Sequence, residues 1–221
     1  MKKLLSKSQA NLFLQCPYKW KKQYIDNIRS KPSIYQTRGI AIHKKVEKFY
    51  KNMKPDADLK NFIKFELRRI KDMIKEGKFD KKYFLPLFQE LKMQNVDLGL
   101  KGICDAVFIN PEDDGLIVVD WKTGKYYPKK FDEYRFELAV YAELLKHSGK
   151  IDEEPKYWAI YFLDQDKLFF EKIDKKYIDK MYKTMEEVRE GIASKNYQPK
   201  KNEWCYFCNF KRNCPLMRWG K

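Results

Sequence analysis

The order of patterns along the chain predicts an α/β or α+β protein: one central sheet with helices packed against it. Three observations carry this. Helical spacing of apolar residues dominates up to Gly77. β-branched and alternating stretches then follow one another from Glu90. Two further strand-like stretches come after an intervening helical one, and a long helical stripe closes the series. With 221 residues there is room for one good core, or at most two small ones. No internal repeat or low-complexity tract interrupts the pattern.

Each element has its own signal. Residues 6–25 read as a helix capped by Ser6 or Ser8, with Leu12, Cys16, Trp20 and Tyr24 every four residues. Pro17 interrupts it, so two helices in sequence are possible. A second helix is expected after "TRG", with Ile42, Val46, Phe49 and Met53 on one face and Pro55 beyond its end. A third carries Leu59, Ile63, Leu67, Ile70 and Ile74, and Gly77 is placed to end it. "ELKMQNVDLGLKGICDAVFIN" divides into two strands, "PEDDG" is a turn, and "LIVVDWKT" is a third strand. "RFELAVYAELLKHSG" is a helix with Phe136, Val140 and Leu144 inward and Gly149 at its end. "KYWAIYFL" and "KLFFEKI" are strands joined by "DQD". Tyr177, Met181, Met185, Val188 and Ile192 mark the last helix, and an aperiodic tail follows.

Composition narrows the function. Hydrophobic residues make up 43% of the chain, which is globular and not disordered. The net charge of +16 exceeds what solubility needs and points to a polyanionic partner, nucleic acid first and a membrane surface second. No run of 18 apolar residues exists to span a membrane. "MKKLLSKSQANLFLQ" lacks the apolar centre of a signal peptide, so reducing cytoplasm is the expected compartment.

The stretch "GICDAVFINPEDDGLIVVDWKTGK" carries the chemistry. Side chains two apart on a strand share a face, so Asp120 and Lys122 point together and Trp121 points the other way. A hairpin brings Asp105 beside Asp120. Two carboxylates with one ammonium suit a hard divalent cation, Mg²⁺ or Mn²⁺. Such a cation polarises a phosphodiester, and the lysine can hold the attacking water or stabilise charge on phosphorus.

These residues resemble the PD-(D/E)xK nuclease superfamily in its RecB-like branch. "GICD" is similar to that branch's G-x-x-D motif, and "VVDWKTGK" to its (D/E)-x-K motif with the trailing T-G-K. "RGIAIHKKVEKFY" resembles its upstream helix, in which a histidine follows an R-G pair. The resemblance implies a restriction-endonuclease-like mixed sheet flanked by helices, forming one nuclease domain over 1–221. It implies that His43, Asp105 and Asp120 ligate the metal, with a backbone carbonyl at Trp121 completing the set. The imidazole biases the site toward Mn²⁺. Of the two histidines the other, His147, reads as structural, at a helix C-terminus where a cation is favourable. The family's Q-x-x-x-Y motif falls on "ELAVY". Tyr141 matches it, while Glu137 stands in place of glutamine, where it could meet metal-bound water or Lys122, or repel a phosphate. Glu90 opens the strand before Asp105. It reads either as a water-mediated metal contact or as a strand-end charge.

Cys205-x₂-Cys208-x₅-Cys214-Pro lies in the tail, and Cys16-Pro lies near the start. In a cytosolic chain such clustering points to metal before disulfide. Cys16 is the natural fourth ligand, because Cys104 falls within the sheet and reads as a buried small hydrophobe. Zinc and [4Fe–4S] both fit four thiolates. The pattern is similar to the iron–sulfur staple of Cas family-four and AddB nucleases, which implies a structural [4Fe–4S] cluster held by residues 1–30 and 195–221.

Lysine-rich islands interleaved with aromatics suggest contacts to phosphates and unpaired bases. Lys125, Tyr126, Tyr127 and Lys129 follow the D-x-K strand, and Arg38 precedes His43; together they form the candidate DNA contacts. The resemblance implies a metal-dependent deoxyribonuclease, an exonuclease on single strands or DNA ends. The implied settings are CRISPR adaptation with an integrase partner, recombination and repair, or a phage genome. The alternatives are a catalytically inactive DNA-binding adaptor and a zinc-stapled RNA-binding protein.

Overall fold

The computed structural model describes residues 3–28 and 31–217. The ends of the expected cluster-binding segments (1–2, 29–30 and 218–221) lie outside the described residues. In chain order the helices are α1 (Lys7–Gln15), α2 (Pro17–Tyr24), α3 (Ile34–Asn52), α4 (Lys60–Lys75), α5 (Lys81–Phe84), α6 (Phe131–Lys146) and α7 (Lys175–Ala193). The strands are β1 (Phe88–Asn95), β2 (Leu100–Ile109), β3 (Leu116–Lys122), β4 (Pro155–Phe162) and β5 (Lys167–Lys172). The chain divides into two compact units. One is Met1–Leu4 with Pro32–Ile178, and the other is Leu5–Lys31 with Asp179–Lys221.

The first unit holds the sheet, in the order β1-β2-β3-β4-β5. All neighbours are antiparallel except β3 and β4, which run parallel and are connected through α6. This is the mixed α/β architecture that the strand pattern predicts. On one face, Ile42, Val46, Phe49 and Tyr50 of α3 pack with Phe62 of α4, Phe108 of β2, Trp121 of β3 and Tyr161 of β4. The rings meet edge to face, as at Phe62–Trp121, with centroids 5.5 Å apart. On the other face lies α6, buried continuously from Glu137 to Leu145. Phe136, expected inward, is only half-buried.

Two helices depart from expectation. α3 begins at Ile34, ahead of "TRG", because Ser33 and Gln36 close a capping box. Met53, expected on its apolar stripe, is instead its half-exposed C-cap with φ 50°. The buried stripe of α4 is rotated from the expected one. Leu59, Phe62, Glu66 and Met73 face inward, and Leu67 and Ile74 are exposed. The Phe62 ring completes the aromatic cluster. Arg69 draws Glu66 inward at 2.7 Å while donating to the carbonyls of Tyr83 and Phe84. Gly77, with φ 77°, ends the helix in the left-handed region.

The second unit is built on α1, α2 and most of α7. Ser6 and Gln9 form the capping box of α1, and Pro17 occupies the first turn of α2, where its missing N–H costs nothing. Trp20 is fully buried, edge-on to Phe13 and stacked on Tyr197. A Cβ at Gly191 would lie 2.6 Å from the Phe13 ring, so only glycine lets α7 and that ring approach. The tail folds as short 3₁₀ turns at Glu203–Phe207, Lys211–Asn213 and Pro215–Met217. Asn202 Nδ2 donates to the Gln15 carbonyl at 3.0 Å, and the Tyr18 hydroxyl donates to the Asn213 carbonyl at 2.9 Å. These bonds tie the tail to α1 and α2.

Candidate active site

The β2–β3 ladder runs from Ile109↔Leu116 to Ala106↔Val119. Beyond it, the Trp121 N–H donates to Asp105 Oδ2 at 2.7 Å. A carboxylate thus takes the place of a ladder carbonyl where the two strands part. The other Asp105 oxygen faces His43 of α3, Oδ1 to Nδ1 3.2 Å. On β1, Gln89 pairs with Ala106 and Leu91 with Cys104, which leaves Glu90 opposite Asp105. Glu90 has φ 46°, a left-handed conformation that costs a non-glycine residue about 1–3 kcal/mol. Its Oε1 lies 3.8 Å from His43 Nδ1.

His43, Glu90 and Asp105 offer ligand atoms within 4.8 Å of one another. One imidazole nitrogen and two carboxylates make a donor set suited to a divalent cation of the Mn²⁺ or Mg²⁺ kind. The residues present therefore fit a metal. Burial pulls the His43 pKa down, but hydrogen bonds to Asp105 and Glu90 and the charges of Asp105 and Asp120 outweigh it. They raise His43 to about 10.

Asp120, expected as a further ligand, pairs with a lysine. It is buried, and its Oδ2 pairs with Lys122 Nζ at 2.6 Å. The same ammonium holds Glu137 Oε2 of α6, also at 2.6 Å. Tyr141, one turn further along α6, donates to the other Glu137 oxygen at 3.1 Å. Burial disfavours the charge on Lys122, yet Asp120 and Glu137 overcome it and hold the pKa above its ordinary value. The Lys122 charge is thus favoured by the two carboxylates it touches. Tyr141 is pushed well above the phenol range, by burial first and then by Glu137 and Asp120. Glu137 thus makes the contact to Lys122 that its position allowed.

Gly102 of "GICD" also has its reason. A Cβ there would lie 3.0 Å from the Tyr141 ring and 3.2 Å from Leu144, so glycine lets α6 settle on β2. Trp121 points into the aromatic core, opposite Asp120 and Lys122. Cys104 is fully buried, its thiol donating to the Ala106 carbonyl and its pKa raised by burial. His147 caps the end of α6, its N–H bonded to the Glu143 carbonyl.

The surface residues expected to contact DNA fare unequally. Lys125, Tyr127 and Lys129 are exposed. Tyr126 is half-buried instead, edge-on to Phe131 and Phe162 and tilted against Phe169. Arg38 is already occupied. Its guanidinium grips Asp164 through two bonds of 2.7 Å and donates to the Thr123 carbonyl, which pins the loop after Lys122. One neighbour escaped the sequence reading. Tyr134 of α6 sits with its ring 5.8 Å from Lys122 Nζ, on the face shared with Glu137 and Tyr141.

In the second unit, Cys16, Cys205, Cys208 and Cys214 all line one cavity, together with Tyr18, Trp204 and Phe210. Asn202 N–H donates to Cys205 Sγ at 3.3 Å.

Among solved structures, the chain is similar to an Eubacterium rectale protein named "Putative exonuclease", with 12% identity and a TM-score of 0.53. That likeness covers 96% of this chain and 88% of the other, and at such identity it speaks to fold alone. It is also similar to a protein named SSO0001, with 15% identity over 98% of this chain and 88% of the other; the TM-score of 0.44 carries no weight. A search of curated proteins finds no match. The family model described as "PD-(D/E)XK nuclease superfamily" matches residues 4–215, nearly the whole chain. A sheet that opens at Asp105, with Asp120 and Lys122 on the adjoining strand, is the setting in which that match falls, and the chain belongs to the PD-(D/E)XK nuclease superfamily.

Proposed function

We propose that the protein is a metal-dependent deoxyribonuclease acting as an exonuclease on single strands or DNA ends. The observation that carries this is the meeting of His43, Glu90 and Asp105 beside the Asp120–Lys122 pair. His43, Glu90 and Asp105 would hold Mn²⁺ or Mg²⁺, with Asp120 and the Trp121 carbonyl as the further contacts the family resemblance suggests. A divalent ion supplies Lewis acidity toward a phosphoryl oxygen and acidifies bound water. Lys122, kept charged by Asp120 and Glu137, presents N–H donors to the attacking water or to charge developing on phosphorus. Tyr141 fixes Glu137, and through it the lysine.

The same reading assigns the chain to the Cas family-four and AddB type. Residues 1–30 and 195–221, most of which fall in the second unit, would be the cluster-binding part of a single nuclease domain. Four cysteines lining one cavity support a shared ligand. Zinc and [4Fe–4S] both fit four thiolates, and the resemblance to the Cas family-four and AddB staple favours the cluster. A reducing cytoplasm and a role in CRISPR adaptation or DNA repair follow from this assignment. No helix is long and apolar enough to cross a membrane.

The test is cleavage of end-labelled single- and double-stranded DNA with Mn²⁺ by wild type and Asp120→Ala. Wild-type cutting abolished in the variant is expected. An alanine variant that cuts as fast as wild type means the centre lies elsewhere.

A further inference from the structure

The cysteine-bearing unit exposes two adjacent aromatic rings. In the 3₁₀ turn Glu203–Phe207, residues three apart share a side. Cys205 and Cys208 both face the cavity, so the two residues between them must face out. Those two are Tyr206 and Phe207, 73% and 75% exposed. Their rings meet edge to face with centroids 5.2 Å apart. Lys211 reaches back over Tyr206, Nζ to ring 5.3 Å, and donates to its carbonyl. Lys201 and Arg212 are exposed alongside in sequence. The unit as a whole carries sixteen Lys and Arg against six Asp and Glu in 70 residues, whereas the larger unit has thirty-one against twenty-five in 151. The unit that displays the rings therefore carries the larger excess of positive charge per residue.

We propose that Tyr206 and Phe207 form a stacking platform for unpaired bases of single-stranded DNA, with Lys201, Lys211 and Arg212 meeting its phosphates. Every base has a face that an aromatic ring can stack on, and lysines bind phosphate regardless of sequence. An exposed Tyr–Phe pair with Lys211 over one ring, and Lys201 and Arg212 exposed nearby in sequence, matches both needs. The platform belongs to the second unit, whereas the metal-binding and lysine groups belong to the first. It rests on the nuclease reading only for the class of ligand.

The experiment is fluorescence anisotropy with a labelled thymidine strand and with a duplex hairpin, in EDTA so that nothing is cut. Tyr206→Ala/Phe207→Ala should weaken single-strand binding by about tenfold or more and duplex binding by less than about threefold. Tyr206→Phe/Phe207→Trp should restore single-strand affinity. Wild type should bind a strand of abasic sites with the same loss, and this measurement decides the matter if the double alanine variant fails to fold. Undiminished binding by the alanine variant, or equal wild-type affinity for abasic and normal strands, overturns the platform. Because binding is read without cleavage, that failure leaves the nuclease reading intact. Failure of the cleavage test with Asp120→Ala leaves the platform standing.

Discussion

Lys122 Nζ and Glu137 Oε2 lie 2.6 Å apart, joining the last residue of β3 to the first buried turn of α6. Glutamine is the residue the family motif places there. A carboxylate adds a full charge to the contact, so Lys122 is gripped between two anions and held more firmly as a cation.

Glu137→Gln keeps its carbonyl oxygen for Lys122 and meets the Tyr141 oxygen with an amide N–H instead of an acceptor, and should change kcat by less than about tenfold. Glu137→Ala removes both contacts. It should cost about 2 kcal/mol of stability, as expected for a lost hydrogen bond to a charged group, and should lower kcat further. Thermal melts and initial rates on labelled DNA check the pair.

Lys122→Met should cut kcat by about 10²–10³-fold, the range for a lost donor to developing charge. Lys122→Arg should not rescue it, because the longer planar group does not fit between Asp120 and Glu137. Rescue by arginine would mean the site needs only a positive charge.

Mn²⁺ binding, followed by calorimetry, should rank the ligands. His43→Ala and Glu90→Gln should each weaken it by at least about 10–100-fold, the cost of losing even a supporting partner. Asp120→Asn should cost less, since one of its oxygens already belongs to Lys122. The reverse order would place the metal on the Asp120 side.

Glu171 of β5 accepts bonds from Arg135 and from Trp158 Nε1, all between 2.7 and 2.8 Å. The Arg135 bond above all holds its carboxyl below 4.5. A lowered folded-state pKa contributes stability that is full above the unfolded value and is lost as pH falls through the folded one. The melting-temperature gap between wild type and Glu171→Gln should therefore be widest near neutrality and shrink below about pH 4.5. A gap that persists at pH 3 would show that packing, not charge, sets it.

Cys16→Ser should lose bound iron and visible colour in anaerobic preparations, together with stability. Cys104→Ala should retain both. A colourless wild type carrying zinc would replace the cluster with a zinc staple.

Much of the site was legible because it depends on short-range rules. Period two puts Asp120 and Lys122 on one face and Trp121 on the other, and a hairpin delivers Asp105 to the same place. The buried α6 and the five strands follow from local patterns. What was not legible depends on distant partners or on backbone twist. Glu90 lies 3.8 Å from His43 with φ 46°, a backbone conformation that no residue pattern announces. Arg38 is held by Asp164, 126 residues away. Tyr126 is half-buried because Phe131, Phe162 and Phe169 pack around it. The start of α3 is a different case: "SIYQ" carries a capping box that periodicity alone overlooks.

The bond from the Trp121 N–H to Asp105 has a consequence for how this enzyme can be silenced. Asp105 belongs to the sheet as well as to the site. Replacing it with alanine strips a buried N–H of its acceptor and frays the parting of β2 and β3. Asparagine keeps the acceptor and spares the fold. A descendant of this chain that abandons cutting but remains folded is freer to discard His43 or Lys122 than Asp105, so an intact aspartate at this position testifies to architecture before it testifies to activity.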